Sequence, residues 1–179
     1  CYIKLWNSLD KLHTISDDLL ELAYLDGLKM STHVKKITPA INAINFVFSE
    51  NKRHNRSTIN FLTVGRLHWK KGFELVLTAL NELSVLGVEF TYTIIGDGEE
   101  YERLVFAAHQ LGILDRIIFI GKVAHSEVSA FMQENDIYIQ YSLQEGFCNA
   151  ALEAQASGML CVVSDAEGLQ ENVLDGRTG

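Results

Sequence analysis

Two glutamates stand eight positions apart in the run Glu145-Gly146-Phe147-Cys148-Asn149-Ala150-Ala151-Leu152-Glu153. One precedes a glycine turn and the other falls inside the helix that the next residues favour. A carboxylate accepts hydrogen bonds in pairs, which suits the hydroxyls of a sugar or a ribose. The start of that helix, around Cys148, Asn149 and Ala150, offers backbone N–H groups without intrahelical partners, a seat for a phosphate. Glu145 would then stand in the mouth of a site, with Glu153 farther along the helix and facing the same cleft. The bare spacing also fits a helix that carries two solvated acids; Gly146-Phe147 and the small-residue run after Glu153 weigh against that alternative.

A second set is Val64-Gly65-Arg66-Leu67, followed by Lys71-Gly72. Gly65 lets backbone approach a ligand closely. Arg66 brings a planar fork for phosphate oxygens and Lys71 a mobile point charge. Both cations could instead merely solvate a loop. Lys52, Arg53 and Arg56, slightly upstream, read as a solvated basic loop. No Asp-x-Asp pair is present, and the six histidines and scattered acids show no metal-ligand spacing. His68, His109 and His125 read as surface or loop histidines.

The elements that must hold these groups follow from periodicity. Residues 59–64, 90–95, 117–120, 137–140 and 160–164 are short apolar runs rich in strand formers. Between them, 73–86, 99–111, 126–135 and 150–157 carry helical spacing. In 73–86 the apolar stripe is Leu75, Val76, Ala79, Leu80 and Leu83, and Ser126 is a candidate cap for the third helix. Strands apolar on both faces, alternating with helices, predict an α/β fold with a Rossmann-like doubly wound parallel sheet. Such sheets bind ligands beyond the carboxyl ends of their strands, where Gly65-Arg66, Gly96-Asp97-Gly98 and Glu145-Gly146 fall.

Before residue 59 the pattern changes. Residues 11–15 and 33–38 suggest strands, Ser16-Asp17-Asp18 is a helix start, and Pro39 is the only proline. Residues 1–48 therefore read as the remnant of a preceding domain with its linker, and 49–179 as the main domain. The absence of an initiator Met and the turn-like ending 175–179 are read as truncation at both ends.

Composition bounds the class. The chain has 179 residues, 47% hydrophobic and 21% charged, with a mean hydropathy of +0.07, values of an ordinary globular protein. A net charge of −8 argues against a general nucleic-acid binder. No apolar run reaches the ~20 residues of a membrane span, and no signal peptide is evident. Cys1, Cys148 and Cys161 form no spaced framework, Cys161 reads as buried, and a reducing cytoplasm is the expected setting.

Residues 61–72, the Ile95-Gly96-Asp97-Gly98 turn, and Glu145 to Glu153 with Ser164-Asp165 and Asp175-Gly176 together resemble the C-terminal domain of the family 4, glycogen-synthase-like (group 1) glycosyltransferases of GT-B fold. Residues 13–16 through 37–39 are similar to the end of that family's N-terminal domain and its interdomain linker. The resemblance implies a retaining, metal-independent hexosyltransferase with no cofactor beyond its donor substrate, a UDP-, GDP- or ADP-sugar. It implies that Arg66 and Lys71 hold the diphosphate, that Glu145 and the backbone of Gly146, Phe147, Cys148, Asn149 and Ala150 meet the donor sugar and phosphates, and that Glu153 takes the ribose hydroxyls. Backbone near Val123 would touch the nucleobase and Gly65 would border the donor. The acceptor, a glycan or lipid-linked sugar, would be bound by the N-terminal domain. This fragment alone would then be inactive, and the full enzyme could associate peripherally with a membrane.

The sequence departs from the family pattern at Cys148, where glycine is usual, so a side chain there either narrows the sugar pocket or points away. The proline usual before the fifth strand is replaced by Met159-Leu160, and the linker has Ala40-Ile41-Asn42 in place of Asn-Gly. Two other readings share these residues: a nucleotide-sugar epimerase on the same scaffold, and a non-catalytic nucleotide-sugar-binding domain.

Overall fold

A computed structural model describes residues 5–48 and 57–179, so Cys1 and the basic Lys52, Arg53 and Arg56 lie outside the described residues. The first segment contains β1 (Lys11–Thr14), α1 (Asp17–Leu25) and β2 (His33–Lys36), with the two strands paired in parallel. Helix α1 starts where its cap chemistry dictates. Ser16 Oγ accepts from the Leu19 amide at 3.2 Å, and Asp17 and Asp18 sit at the positive end of the helix.

The second segment runs β3 (Ile59–Val64), α2 (Phe73–Val85), β4 (Phe90–Ile95), α3 (Tyr101–Gln110), β5 (Ile117–Gly121), α4 (His125–Glu134), β6 (Ile137–Gln140), α5 (Asn149–Ala156) and β7 (Leu160–Val163). Its five strands are all parallel, in the order β5-β4-β3-β6-β7. The chain winds outward from β3 through β4 to β5, then returns to the other side of β3 as β6 and β7. The doubly wound architecture expected from alternation is therefore present. Its winding reverses between β3 and β6, the place where sheets of this kind bind ligands beyond the strand ends.

Neighbouring residues of a strand feed opposite faces, and β3 shows it. Phe61 joins a core with Phe73, Leu77, Leu80, Tyr92 and Leu104, whereas Leu62 joins one with Met132, Tyr138, Ala151, Ala154 and Cys161. Both sheet faces are covered, so strands of nearly continuous apolar character are the stable solution.

Several local expectations are corrected. The buried stripe of α2 is Phe73, Val76, Leu77 and Leu80, while Leu75 is 45% exposed and Ala79 faces solvent. Phe73, next to the Gly72 turn, sets the helix phase, and the spacing 73, 76, 77, 80 follows from it. Ser126 lies inside α4 rather than capping it; the Glu127 carboxylate instead accepts from the Ala124 amide at 2.9 Å. Helix α3 begins at Tyr101, two residues later than expected, because the Glu100 amide is drawn to the Leu67 carbonyl at 3.2 Å. Strand β2 stops at Lys36.

The two segments are joined by charge. Lys36 Nζ reaches Asp17 at 2.5 Å and Glu171 at 3.2 Å, Glu171 also accepts from the Asp17 amide at 2.6 Å, and Asp18 accepts from the Gly168 amide at 2.8 Å.

Candidate functional site

The loop after β3 is shaped by its own polar groups. His68 Nδ1 accepts from the Lys70 amide at 3.2 Å and caps a 3-10 turn over Trp69–Lys71, a turn that periodicity alone did not indicate. Gly72 ends the turn with φ +60, and a Cβ there would collide with the Tyr141 carbonyl. The Leu143 amide donates to the Lys70 carbonyl at 2.7 Å. Backbone of the β3 loop is thus sewn directly to backbone of the β6 loop, which brings two motifs some 75 residues apart into one place.

Their side chains complete the junction. Lys71 Nζ forms an ion pair with Glu145 Oε2, with side chains 21% and 13% exposed. The same oxygen accepts from Gln140 Nε2 at 3.0 Å and Ser142 Oγ at 3.3 Å, and Gln140 also donates to Ser142 Oγ at 2.9 Å. Ser164 Oγ pins the Ser142 carbonyl at 2.6 Å. Glu145 is therefore held in one orientation by three donors, as a group must be if it is to meet a ligand without reorganising.

Lys71 and Glu145 line a cleft of about 480 Å³ that also takes in Arg66, Lys70 and Gly146, with Leu19 of α1 and Glu167 in its lining. Three cations face it. Lys71 is balanced by Glu145, and Lys70 Nζ stands 5.7 Å from the centre of the Trp69 ring. Arg66 is exposed and has no ion-pair partner among the described residues, so its guanidinium is available to an anion. Gly65 lies beneath the Lys71 stem, which a Cβ at that position would touch at an ordinary 3.8 Å. Gly146 is overlaid by Ile15 and Leu19 of the N-terminal segment.

The remaining candidate residues fall around, not in, this cleft. Phe147 is half-buried. Cys148 precedes α5, and its amide is occupied by Asn172 Oδ1 at 2.9 Å, so the N–H groups that the helix leaves without intrahelical partners start at Asn149 and Ala150 rather than at Cys148. The Cys148 side chain points away from the cleft into the core, 3.3 Å from Gln140 Oε1 and 3.8 Å from the Tyr138 hydroxyl. Burial pushes its thiol pKa up, opposed by the Ala151 backbone and by Lys71. Of the two outcomes weighed for this position, the geometry gives the second. Val123 follows β5 and packs against the core that contains Leu62.

Glu153 does not share the cleft with Glu145. Its side chain, 8% exposed, pairs with His125 Nε2 at 2.7 Å. His125 is a surface histidine, 69% exposed, that is engaged by Glu153, and His68 is a loop histidine that serves as a cap. Sequence reasoning missed Gln140, Ser142 and Asn172 as supports. The one available signal was a polar residue ending an apolar strand, at Gln140. A larger recess of about 640 Å³ behind β7 has Asp165 and Asp175 in its lining and, among the described residues, no Lys or Arg to meet an anion.

Residues 46–179 match the family described as glycosyl transferases group 1. Glycogen synthase of Mycobacterium tuberculosis is 31% identical over 166 residues, which is 93% of this chain and 39% of that protein. The 2-deoxystreptamine glucosyltransferase of Streptomyces kanamyceticus is 30% identical over 110 residues, 62% of this chain and 28% of that protein. Among solved structures, Anabaena Alr3699/HepE in complex with UDP and glucose superposes with a TM-score of 0.84 at 20% identity, covering 97% of this chain and 50% of that one. The chain therefore spans well under half the length of the glycogen synthase and of the glucosyltransferase.

Proposed function

The chain belongs to the group 1 glycosyl transferases, and we propose that residues 49–179 bind the nucleoside-diphosphate sugar donor of an enzyme that passes the sugar to a glycan or lipid-linked acceptor. Residues 1–48 are, on this reading, the end of the preceding domain and its linker. The observation that carries the proposal is the meeting of Arg66, Lys71 and Glu145 in one cleft at the reversal of the sheet. The presence of UDP and glucose in the Anabaena protein of like fold supports a nucleotide-sugar ligand.

Cleaving the bond between sugar and diphosphate leaves negative charge on the departing phosphate. On this reading Arg66, Lys71 and the N–H groups at the start of α5 stabilise that charge electrostatically, with no metal ion called for. The diphosphate draws Lys71 from Glu145, and Glu145, still held by Gln140 and Ser142, turns its acceptor capacity to the sugar hydroxyls. Transfer retains anomeric configuration through an oxocarbenium-like donor, and the acceptor enters from the N-terminal domain. The inward Cys148 side chain leaves the donor side clear, which favours a working site over a binding-only one. Among the described residues no helix is long and apolar enough to cross a membrane; a cytoplasmic setting is part of the proposal and is supported by the free, buried thiols of Cys148 and Cys161.

A thermal-shift panel with UDP, GDP and ADP tests the proposal. Ligand at a hundredfold its Kd stabilises by about 2.7 kcal/mol, roughly 5–10 °C for a domain of this size. Arg66→Ala and Lys71→Ala each remove a charge-assisted contact of about 1.5–3 kcal/mol and weaken binding roughly 10–100-fold. The chain by itself is expected to bind donor and transfer nothing. No response to any of the three nucleotides contradicts the proposal.

A further inference from the structure

Glu153 lies in the second turn of α5 with a side chain only 8% exposed, and a carboxylate that deep requires partners. One oxygen, Oε1, accepts from His125 Nε2 at 2.7 Å. The other, Oε2, takes no hydrogen bond from the described residues. The imidazole is itself pinned, although 69% of its side chain is exposed: its ring meets the buried Phe46 edge-on at 5.9 Å and 70°. An exposed histidine gains little from a surface ion pair. This one is nevertheless fixed at both ends, by a core aromatic ring and by a nearly buried acid. It also opens α4 two residues after Val123, so the two positions assigned to the nucleoside, Val123 and Glu153, both adjoin it.

We propose that His125 is a positioning residue for the nucleoside end of the donor, holding Glu153 through Oε1 so that Oε2 accepts the ribose hydroxyls. The inference rests on the donor-binding reading above. Without the imidazole, the carboxylate rotates among several orientations and must be ordered each time ribose binds, which weakens that contact alone. His125 touches no reacting atom and acts only through Glu153. Phe46, at the end of the segment leading from α1 and β2, sets the ring plane and so links the linker to the nucleoside pocket.

The test is calorimetric titration of the 179-residue chain with UDP, GDP and ADP, each paired with its 2′,3′-dideoxy counterpart. The native protein is expected to favour the ribonucleotide. Glu153→Gln collapses that preference. His125→Ala lowers ribonucleotide affinity about tenfold while leaving the dideoxy form unchanged, the cost of one disordered charge-assisted contact. His125→Asn, which restores an N–H donor, recovers most of the loss. Because the His125 side chain is largely exposed, its variants are expected to fold, and melting curves confirm this. If Glu153→Gln abolishes the ribose preference but His125→Ala keeps it, the positioning role is overturned and the donor-binding reading stands. An equal loss for both nucleotide forms in His125→Ala is a structural effect and also overturns it. If Glu153→Gln leaves the preference intact, the ribose assignment fails, and the role of His125 with it.

Discussion

Cys148 occupies the one position in the Glu145 to Glu153 run where sequence left two opposite outcomes open. The direction of its side chain separates them. The thiol sits among Tyr138, Gln140 and Ala151, and burial raises its pKa, so little thiolate exists at neutral pH. In a Cys1→Ser background, the native protein should react with a thiol reagent at least roughly tenfold more slowly than an exposed cysteine would. Cys161, whose thiol burial pushes up to about 12, should be similarly slow, and both should react freely in denaturant. Fast native labelling of Cys148 would place its side chain in the cleft. At this scale the meeting of Arg66, Lys71 and Glu145 was legible, because they stand in loops next to glycines, where side-chain type announces chemistry; Glu153, inside a helix and turned to His125, was not. Their supports were not. Gln140, Ser142 and Asn172 matter only through partners brought close by the sheet, and no local pattern encodes a hydrogen bond from residue 172 to residue 148.

The junction of the β3 and β6 loops is where local conformation decides the site. Gly72 combines a left-handed backbone at φ +60 with close contact to the Tyr141 carbonyl, whereas Gly112 has φ +70 with open space around it. Replacing Gly112 by Ala should cost only the left-handed strain, about 1 kcal/mol. Replacing Gly72 by Ala adds a clash with backbone, which cannot yield as a flexible side chain does, and should cost roughly 2–4 kcal/mol. It should also part Lys71 from Glu145 and weaken nucleotide binding. Urea denaturation of the two variants measures the difference directly, and equal losses would contradict the close packing of the two loops. The sheet strands were well read from sequence, since runs such as Ile59–Val64 and Phe90–Ile95 are apolar on both faces and bounded by glycine. Helix details were read less well. The phase of α2 depends on which side of Phe73 meets the sheet, and the start of α4 on a glutamate that outcompetes a nearby serine for the cap.

At the scale of the molecule, alternation of strand and helix carried the doubly wound topology, because parallel strands need crossovers and a right-handed crossover leaves few arrangements. What sequence could not supply was the seat of the N-terminal segment. Asp17 and Asp18 read only as part of a helix start, and nothing in the sequence marks Lys36, until Glu171 and Gly168 are placed opposite them. That seat puts Leu19 over Gly146 and gives the cleft one of its walls. Donor binding as proposed depends on a single pocket shared by two loops distant in sequence. The most direct measurement is an amide-resolved NMR titration of the chain with the nucleoside diphosphate that stabilises it most. Shifts are expected at Gly65, Arg66 and Lys71 and at Glu145, Gly146 and Asn149 that fit one dissociation constant. Shifts confined to one of the two loops, or gathered instead in the recess behind β7, would contradict it.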